Sequence, residues 1–316
     1  MPRATIDPAL GLRVISVREL RYDTGAALGD DRPAHVRAAS GLAFVGGRLA
    51  VIQDDAAFIA FVGADVSAVA LPRGAGGRRR FEVGIGNKME KLDLEACVAV
   101  GDELWAFGSG SAPAREKIAV LGYTTRLHDA APLFRRLREE VSGPSAADSF
   151  RAPPAVNIEG ACLVGEELWL LHRGNTGPHD RGPMVFTLPK AAFARWLASE
   201  DALPEVTNAI AYDLGAGGGI RLGFTDAVAV GARVFYLAAA EASGNAIDDG
   251  RVVASQLGVI AGESVRACEL MIDGAPVKAE GLAFDPRDPM HAWLAIDPDN
   301  VDEPARLYEI ELVGPW

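Results

Sequence analysis

One phrase recurs five times along the chain, and that recurrence constrains the fold more than any other feature. GLAFVGGRLAVIQD (41–54) is an apolar run, a glycine turn and a second apolar run. It returns as LEACVAVGDELWAFGSGS (94–111), IEGACLVGEELWLLHRGN (158–175), FTDAVAVGARVFYLAAAEAS (224–243) and AEGLAFDPRDPMHAWLAIDPDN (279–300). The first four copies align without a gap on Val45-Gly46, Val100-Gly101, Val164-Gly165 and Val230-Gly231. Glycine followed by one or two polar residues between apolar runs is the chemistry of a tight hairpin. The fifth copy carries the longer turn DPRDPM instead. Further strand-like segments come after the copies at 56–63, 117–123, 183–189, 252–260 and 305–312. Four-stranded units in series predict a β-propeller, one unit per blade. RVISVRELRY (13–22) is strand-like but has no repeat of its own. It is expected to supply the outer strand of the last blade and so leave no open sheet edge. The chain thus reads as an all-β, five-bladed propeller, a single domain over 1–316. APLFRRLREEV (131–141) and PKAAFARWLASEDAL (189–203) have helical spacing. They are expected as two short helices inserted after the second and third blades, with their apolar positions covering the side of the ring.

Charge narrows the possible partners. The 316 residues carry 31 basic and 43 acidic side chains, a formal net charge of −12. That balance argues against nucleic acid, whose phosphates demand a basic surface. No apolar run reaches membrane-spanning length, and the N-terminal stretch has no apolar signal core, so a cytoplasmic location is expected. Cys97, Cys162 and Cys268 fall in apolar stretches and are expected as buried thiols, not as a disulfide framework.

Five positions before each aligned valine stands a polar residue: Ser40, Glu95, Glu159 and Thr225. The fifth copy contributes Glu280, because EGLA at 280–283 aligns with SGLA at 40–43; Asp226 stands beside Thr225 and replaces or assists it. A propeller directs the innermost strand of every blade along its axis, so these side chains are expected to converge. Clustered carboxylates in a half-buried channel must be protonated or neutralised by a cation. An oxygen-only donor set points to a hard cation, Ca2+ foremost. The alternative is that the residues hydrogen-bond to backbone and tie adjacent blades together.

This pattern resembles the calcium-activated nucleotidases (apyrases), five-bladed propellers with an axial calcium held by serine and glutamate. The family's order of Ser, Glu, Glu, Ser, Glu is met by Ser40, Glu95, Glu159, Thr225 and Glu280, with threonine for one serine as the single departure. LEACVAVGDELW, GFTDAVAVG and KAEGLAF carry the likeness, which covers the repeat cores and not the loops. GSGS, NIEG and RGN are also similar to an uncharacterised bacterial propeller group loosely described as phytase-like and esterase-like. The resemblance implies the fold and the metal more firmly than the chemistry.

Hairpin geometry brings the ends of the second strands back to the ring face. Their polar ends include Asp54, Ser109, Ser111, Arg173, Asn175, Asn245, Asp297 and Asp299. Arg173 is read either as a clamp for an anionic substrate or as a salt-bridge partner of a loop carboxylate. It and Asp54 are the catalytic candidates. Lys88, Ser109, Ser111, Arg173, Asn175, Asn245 and Asp297 are the substrate-binding candidates. Lys88, Lys91 and Lys278 precede ring glutamates and are expected near the mouth, as solvated lysines. Arg78-Arg79-Arg80 is expected to be solvated surface. No GxSxG elbow and no HExxH is present. The function so indicated is metal-dependent hydrolysis of a small anionic molecule, a phosphoanhydride or phosphoester first. A binding propeller with a structural calcium and a metal-dependent lactonase or esterase are the alternatives.

Overall fold

The computed structural model describes residues 1–142, 156–174, 181–242 and 250–316. Three of the repeated turns are two-residue hairpins in which only the glycine is left-handed: Gly101 at φ 61°, Gly165 at φ 59° and Gly231 at φ 62°. In the first copy both Gly46 and Gly47 have positive φ. These primed geometries match the right-handed twist of the flanking strands, and a β-carbon on the glycine would be strained there.

Each copy of the phrase is thus the inner and second strand of one antiparallel sheet, and five such sheets form the ring. Blade 1 runs through Ala39–Val45, Arg48–Gln53, Phe58–Val62 and Val66–Ala70. Blade 2 consists of Leu94–Val100, Glu103–Gly108, Lys117–Leu121 and Thr125–Asp129. Blade 3 consists of Ile158–Val164, Glu167–His172, Met184–Pro189 and Asn208–Ala211. Blade 4 has Gly223–Val230, Arg233–Ala242, Arg251–Ala261 and Ser264–Glu269; blade 5 has Ala279–Asp285, Asp288–Ile296 and Arg306–Val313. The inner strands pack against one another around the ring, with blade 5 meeting blade 1.

The N-terminal segment closes the last blade as expected: Gly11–Glu19 pairs antiparallel with Arg306–Val313. A further contribution was not legible in the pattern. Thr5–Ile6 adds a parallel fifth strand to blade 4, against Arg266 and Ala267. Two paired residues leave no periodicity to read.

Both helices form, at Ala131–Ser142 and Lys190–Leu197. The second is placed differently from expectation. It lies inside blade 3, between the third strand and the short outer strand Asn208–Ala211, not after the blade. NAIA is too short to announce an outer strand, so the sequence pattern ended the blade early. Leu133, Phe134 and Leu137 of the first helix share one core with Phe193, Trp196 and Leu197 of the second and with the strands of blades 2 and 3. Trp105 meets Phe193 there at 5.7 Å between ring centroids. The three cysteines are buried free thiols.

Candidate functional site at the propeller mouth

The five inner strands share one irregularity at the ring position. In blade 1 Ala39 pairs with Gln53 but Gly41 pairs with Ile52, so Ser40 is an extra residue bulged out of the ladder. The same shift skips Glu95 between Leu94 and Ala96, Glu159 between Ile158 and Gly160, Thr225 between Phe224 and Asp226, and Glu280 between Ala279 and Gly281. A bulge frees one residue from pairing and re-aims its side chain. Five bulges in register bring these residues to the same end of the channel.

The ring then divides by side-chain length. Ser40 Oγ donates to Leu94 O at 2.5 Å, and Thr225 Oγ1 donates to Ala279 O at 2.7 Å. Each hydroxyl reaches only the carbonyl just before the next blade's ring glutamate, and so ties blade 1 to blade 2 and blade 4 to blade 5. The Asp226 carboxylate accepts N–H bonds from Ala227 at 2.7 Å and Leu282 at 2.6 Å. Burial pushes that carboxyl well up, and the amide donors offset this in part. Ser40, Thr225 and Asp226 do not line the mouth, whereas Glu95, Glu159 and Glu280 do.

These glutamates stand in a cavity of about 730 Å³ opening at the mouth. Burial raises all three carboxyls above the usual range. Their neutralisation is unequal. Arg173 forks onto Glu159 at 3.0 and 3.1 Å and bonds the buried Glu241 with its other nitrogen. Lys278 pairs with Glu280 at 2.7 Å and approaches Glu241 at 3.7 Å. Glu95 has no hydrogen bond or ion pair to its carboxylate among the described residues. It faces Asp93, Asp54 and Glu280, whose negative charges raise it further after burial has done so, while the nearby Lys91 charge offsets this in part without a direct contact. Ligand oxygens of Asp54, Asp93 and Glu95 lie within 4.8 Å of one another.

Chain cations brace the other members of that cluster. Lys91 Nζ lies 2.6 Å from both Asp54 Oδ2 and Asp93 Oδ1. Arg115 reaches Asp93 Oδ2 at 2.9 Å, and Ser109 Oγ donates to the same oxygen. Burial raises Asp93, but Lys91 and Arg115 outweigh it and hold the carboxyl below its ordinary value. Ser111 accepts from Arg115 at 2.8 Å. Ser109-Gly110-Ser111 therefore holds Asp93 and Arg115 in place. Blade 5 adds Asp297, pushed up to about 7 by burial, by Asp299 and by Asp54. Blade 1 adds Asp55, raised to about 7 by burial and Asp54 although Arg37 pairs with it at 2.7 Å.

Asp54, Ser111, Arg173 and Asp297 line the cavity, as does Lys88. Lys91 and Lys278 are buried ion-pair partners, not solvated lysines, because each is flanked by two carboxylates. Arg79 and Arg80 are partly buried, and Asp31 accepts both backbone N–H groups; only Arg78 is exposed surface. Asn175 and Asn245 lie outside the described residues. His35 lines the cavity, with burial holding its imidazole below the usual value. His172 is fully buried and accepts the Asn157 N–H at 3.0 Å. Sequence reasoning missed Asp93, Arg37, Glu82 and Asn157, all of which lie outside the repeated phrase. The one local signal was Asp93 two residues before a ring glutamate.

The fold and this charged mouth define a five-bladed β-propeller with a polar site at one end of its axis. The chain belongs to DUF6929, a family of unknown function whose model matches residues 35–312. Among curated proteins none matches. Solved structures similar to it include virginiamycin B lyase from Staphylococcus aureus, at 10% identity over 96% of this chain and 100% of that one, TM-score 0.42. Others are a protein of unknown function from Bacteroides thetaiotaomicron, at 10% identity over 96% and 76%, TM-score 0.42, and apo AztD from Citrobacter koseri, at 12% over 81% and 67%, TM-score 0.34.

Proposed function

We propose that the mouth is the site of a divalent-cation-dependent hydrolase acting on a small anionic substrate, a phosphoanhydride or phosphoester first. One observation carries this reading. Of the three ring glutamates, Glu95 alone lacks a direct cationic partner among the described residues, and it stands within 4.8 Å of two further carboxylates. The donor set fits a hard cation, since Glu95, Asp54 and Asp93 offer only oxygen and their summed charge exceeds what Lys91 and Arg115 cancel. Calcium suits such a set, and Glu95, Asp54 and Asp93 would hold it. When bound, the cation supplies Lewis-acid polarisation of an oxyanion and a lowered pKa for water.

The chain's own groups supply the rest. Asp297, raised to about 7, is a proton acceptor matched to neutral pH. Lys88 and Arg80 line the cavity without an ion-pair or side-chain hydrogen-bond partner among the described residues, and they suit an anionic group. Arg173 is committed to Glu159 and Glu241, so its role is to hold the ring rather than to clamp substrate.

The test is metal content and calcium affinity of the purified protein, then turnover of phosphoanhydride, phosphoester and lactone panels. Stoichiometric calcium, at least a tenfold weaker affinity in Glu95→Gln and loss of turnover in the same variant are expected. Metal content and melting temperature indifferent to both chelator and Glu95→Gln would favour a binding propeller instead. That second reading has its own support, because Glu159, Glu280 and Asp93 already carry cations from the chain.

A further inference from the structure

The cavity has a second chemistry at its rim. Leu28 is 90% exposed, Val83 74% and Val301 48%, and all three line this cavity. They come from three separate connections: the segment leading into blade 1, the link between blades 1 and 2, and the loop after the second strand of blade 5. These connections are laced into one wall. Asp31 Oδ2 accepts the Arg79 and Arg80 N–H groups at 3.1 Å each, and His35 Nε2 lies 3.3 Å from Val301 O. Single exposed aliphatics are ordinary on a protein surface. Three that converge on one cavity with a charged floor are not explained by packing, since each is left in water by the fold.

We propose that the mouth takes an amphiphile, with an anionic head met by Lys88 and Arg80 and an unbranched aliphatic segment lying on Leu28, Val83 and Val301. The wall exposes aliphatic and not aromatic side chains, so it favours an alkyl or acyl chain over a stacked base. A cavity of about 730 Å³ holds a head and a short chain together. This names the substrate class of the hydrolase proposed above and rests on the mouth being its substrate site; the aliphatic contact itself does not require the cation.

Calorimetric titration of the full chain with n-alkyl phosphates, methyl to octyl and below their micelle concentrations, tests the wall directly. Affinity is expected to tighten by up to about fourfold per methylene and then level off once the wall is covered. The same slope in an n-alkanoate series would show that the wall reads the tail whatever the anion. The double variant Leu28→Ser/Val83→Ser, folded by circular dichroism because both side chains are solvent-exposed, is expected to flatten the slope; Val301→Ser is the independent check. Methyl phosphate binding with no chain-length dependence would overturn the amphiphile and leave the hydrolase reading standing. Wild-type slopes unchanged in all these variants, with self-association altered instead, would make the rim a protein contact and overturn it too. No binding of any alkyl phosphate, together with no effect of Glu95→Gln on metal content, would remove the mouth as the substrate site altogether.

Discussion

Two side chains show how the mouth is stabilised and at what cost. Arg173 satisfies Glu159 and Glu241 at once, and all three are largely withdrawn from water. Truncation would leave two buried carboxylates with one guanidinium fewer, a change that costs about 3–5 kcal/mol when a buried pair is broken. Arg173→Ala is therefore expected to lower the urea midpoint strongly, and Arg173→Lys less, since it keeps the charge and loses the fork. Asp297 works in the opposite direction. Its folded pKa lies near 7 against an unfolded value of about 3.9, so the folded state holds the extra proton between these values. The stability this contributes is complete below about pH 4 and is lost as pH rises through 7. In chelator, Asp297→Asn should melt higher than the parent at pH 8 and no higher at pH 4. A difference that stays flat across that range would contradict the assignment.

At the level of the strand, the ring position depends on its C-terminal neighbour. The residue after the bulge is glycine in blades 1, 3 and 5 and alanine in blade 2. The reason is close approach of neighbouring inner strands: a β-carbon at Gly160 would lie 3.1 Å from Ala227 N and 3.2 Å from Asp226 C. Those are backbone atoms that cannot swing aside, so Gly160→Val overpacks the channel. A loss of about 1–3 kcal/mol is expected, measured by chemical denaturation. Gly41 faces the Ile52 side chain, which can yield, and Gly41→Ala should cost less. The polar position, the glycine and the valine repeat were all legible along the chain. The bulge that turns the polar side chain toward the mouth was not, because it exists only as a mismatch between two paired strands.

Across the whole molecule, the ring is closed by strand exchange between the chain's two ends. Gly11–Glu19 covers the edge of Arg306–Val313, the Trp316 indole donates to Gly11 O at 3.1 Å, and Arg18 donates to Gly63 O and Ala64 O of blade 1. Removing residues 1–19 should expose that edge and remove the Arg18 link from blade 5 to blade 1, leaving the inner-strand packing between them. A lower melting temperature with concentration-dependent association by size-exclusion chromatography is expected; an intact, monomeric product would refute closure by the N-terminal strand. The number of blades and the five ring positions can be read along the chain because they are periodic and local, and the closing strand follows by elimination, since the last blade otherwise keeps an open edge. Hairpin chemistry repeats wherever the hairpin does. Packing between neighbouring blades fixes which ring members face the cavity, since a hydroxyl stops at the next strand's carbonyl while a glutamate reaches past it. Tertiary structure also decides how the cations are shared. Lys91–Asp93 and Lys278–Glu280 are local pairs two residues apart, but Lys91 meets Asp54, Arg115 meets Asp93 and Arg173 meets Glu241 across connections of differing length, and no spacing along the chain records those pairings.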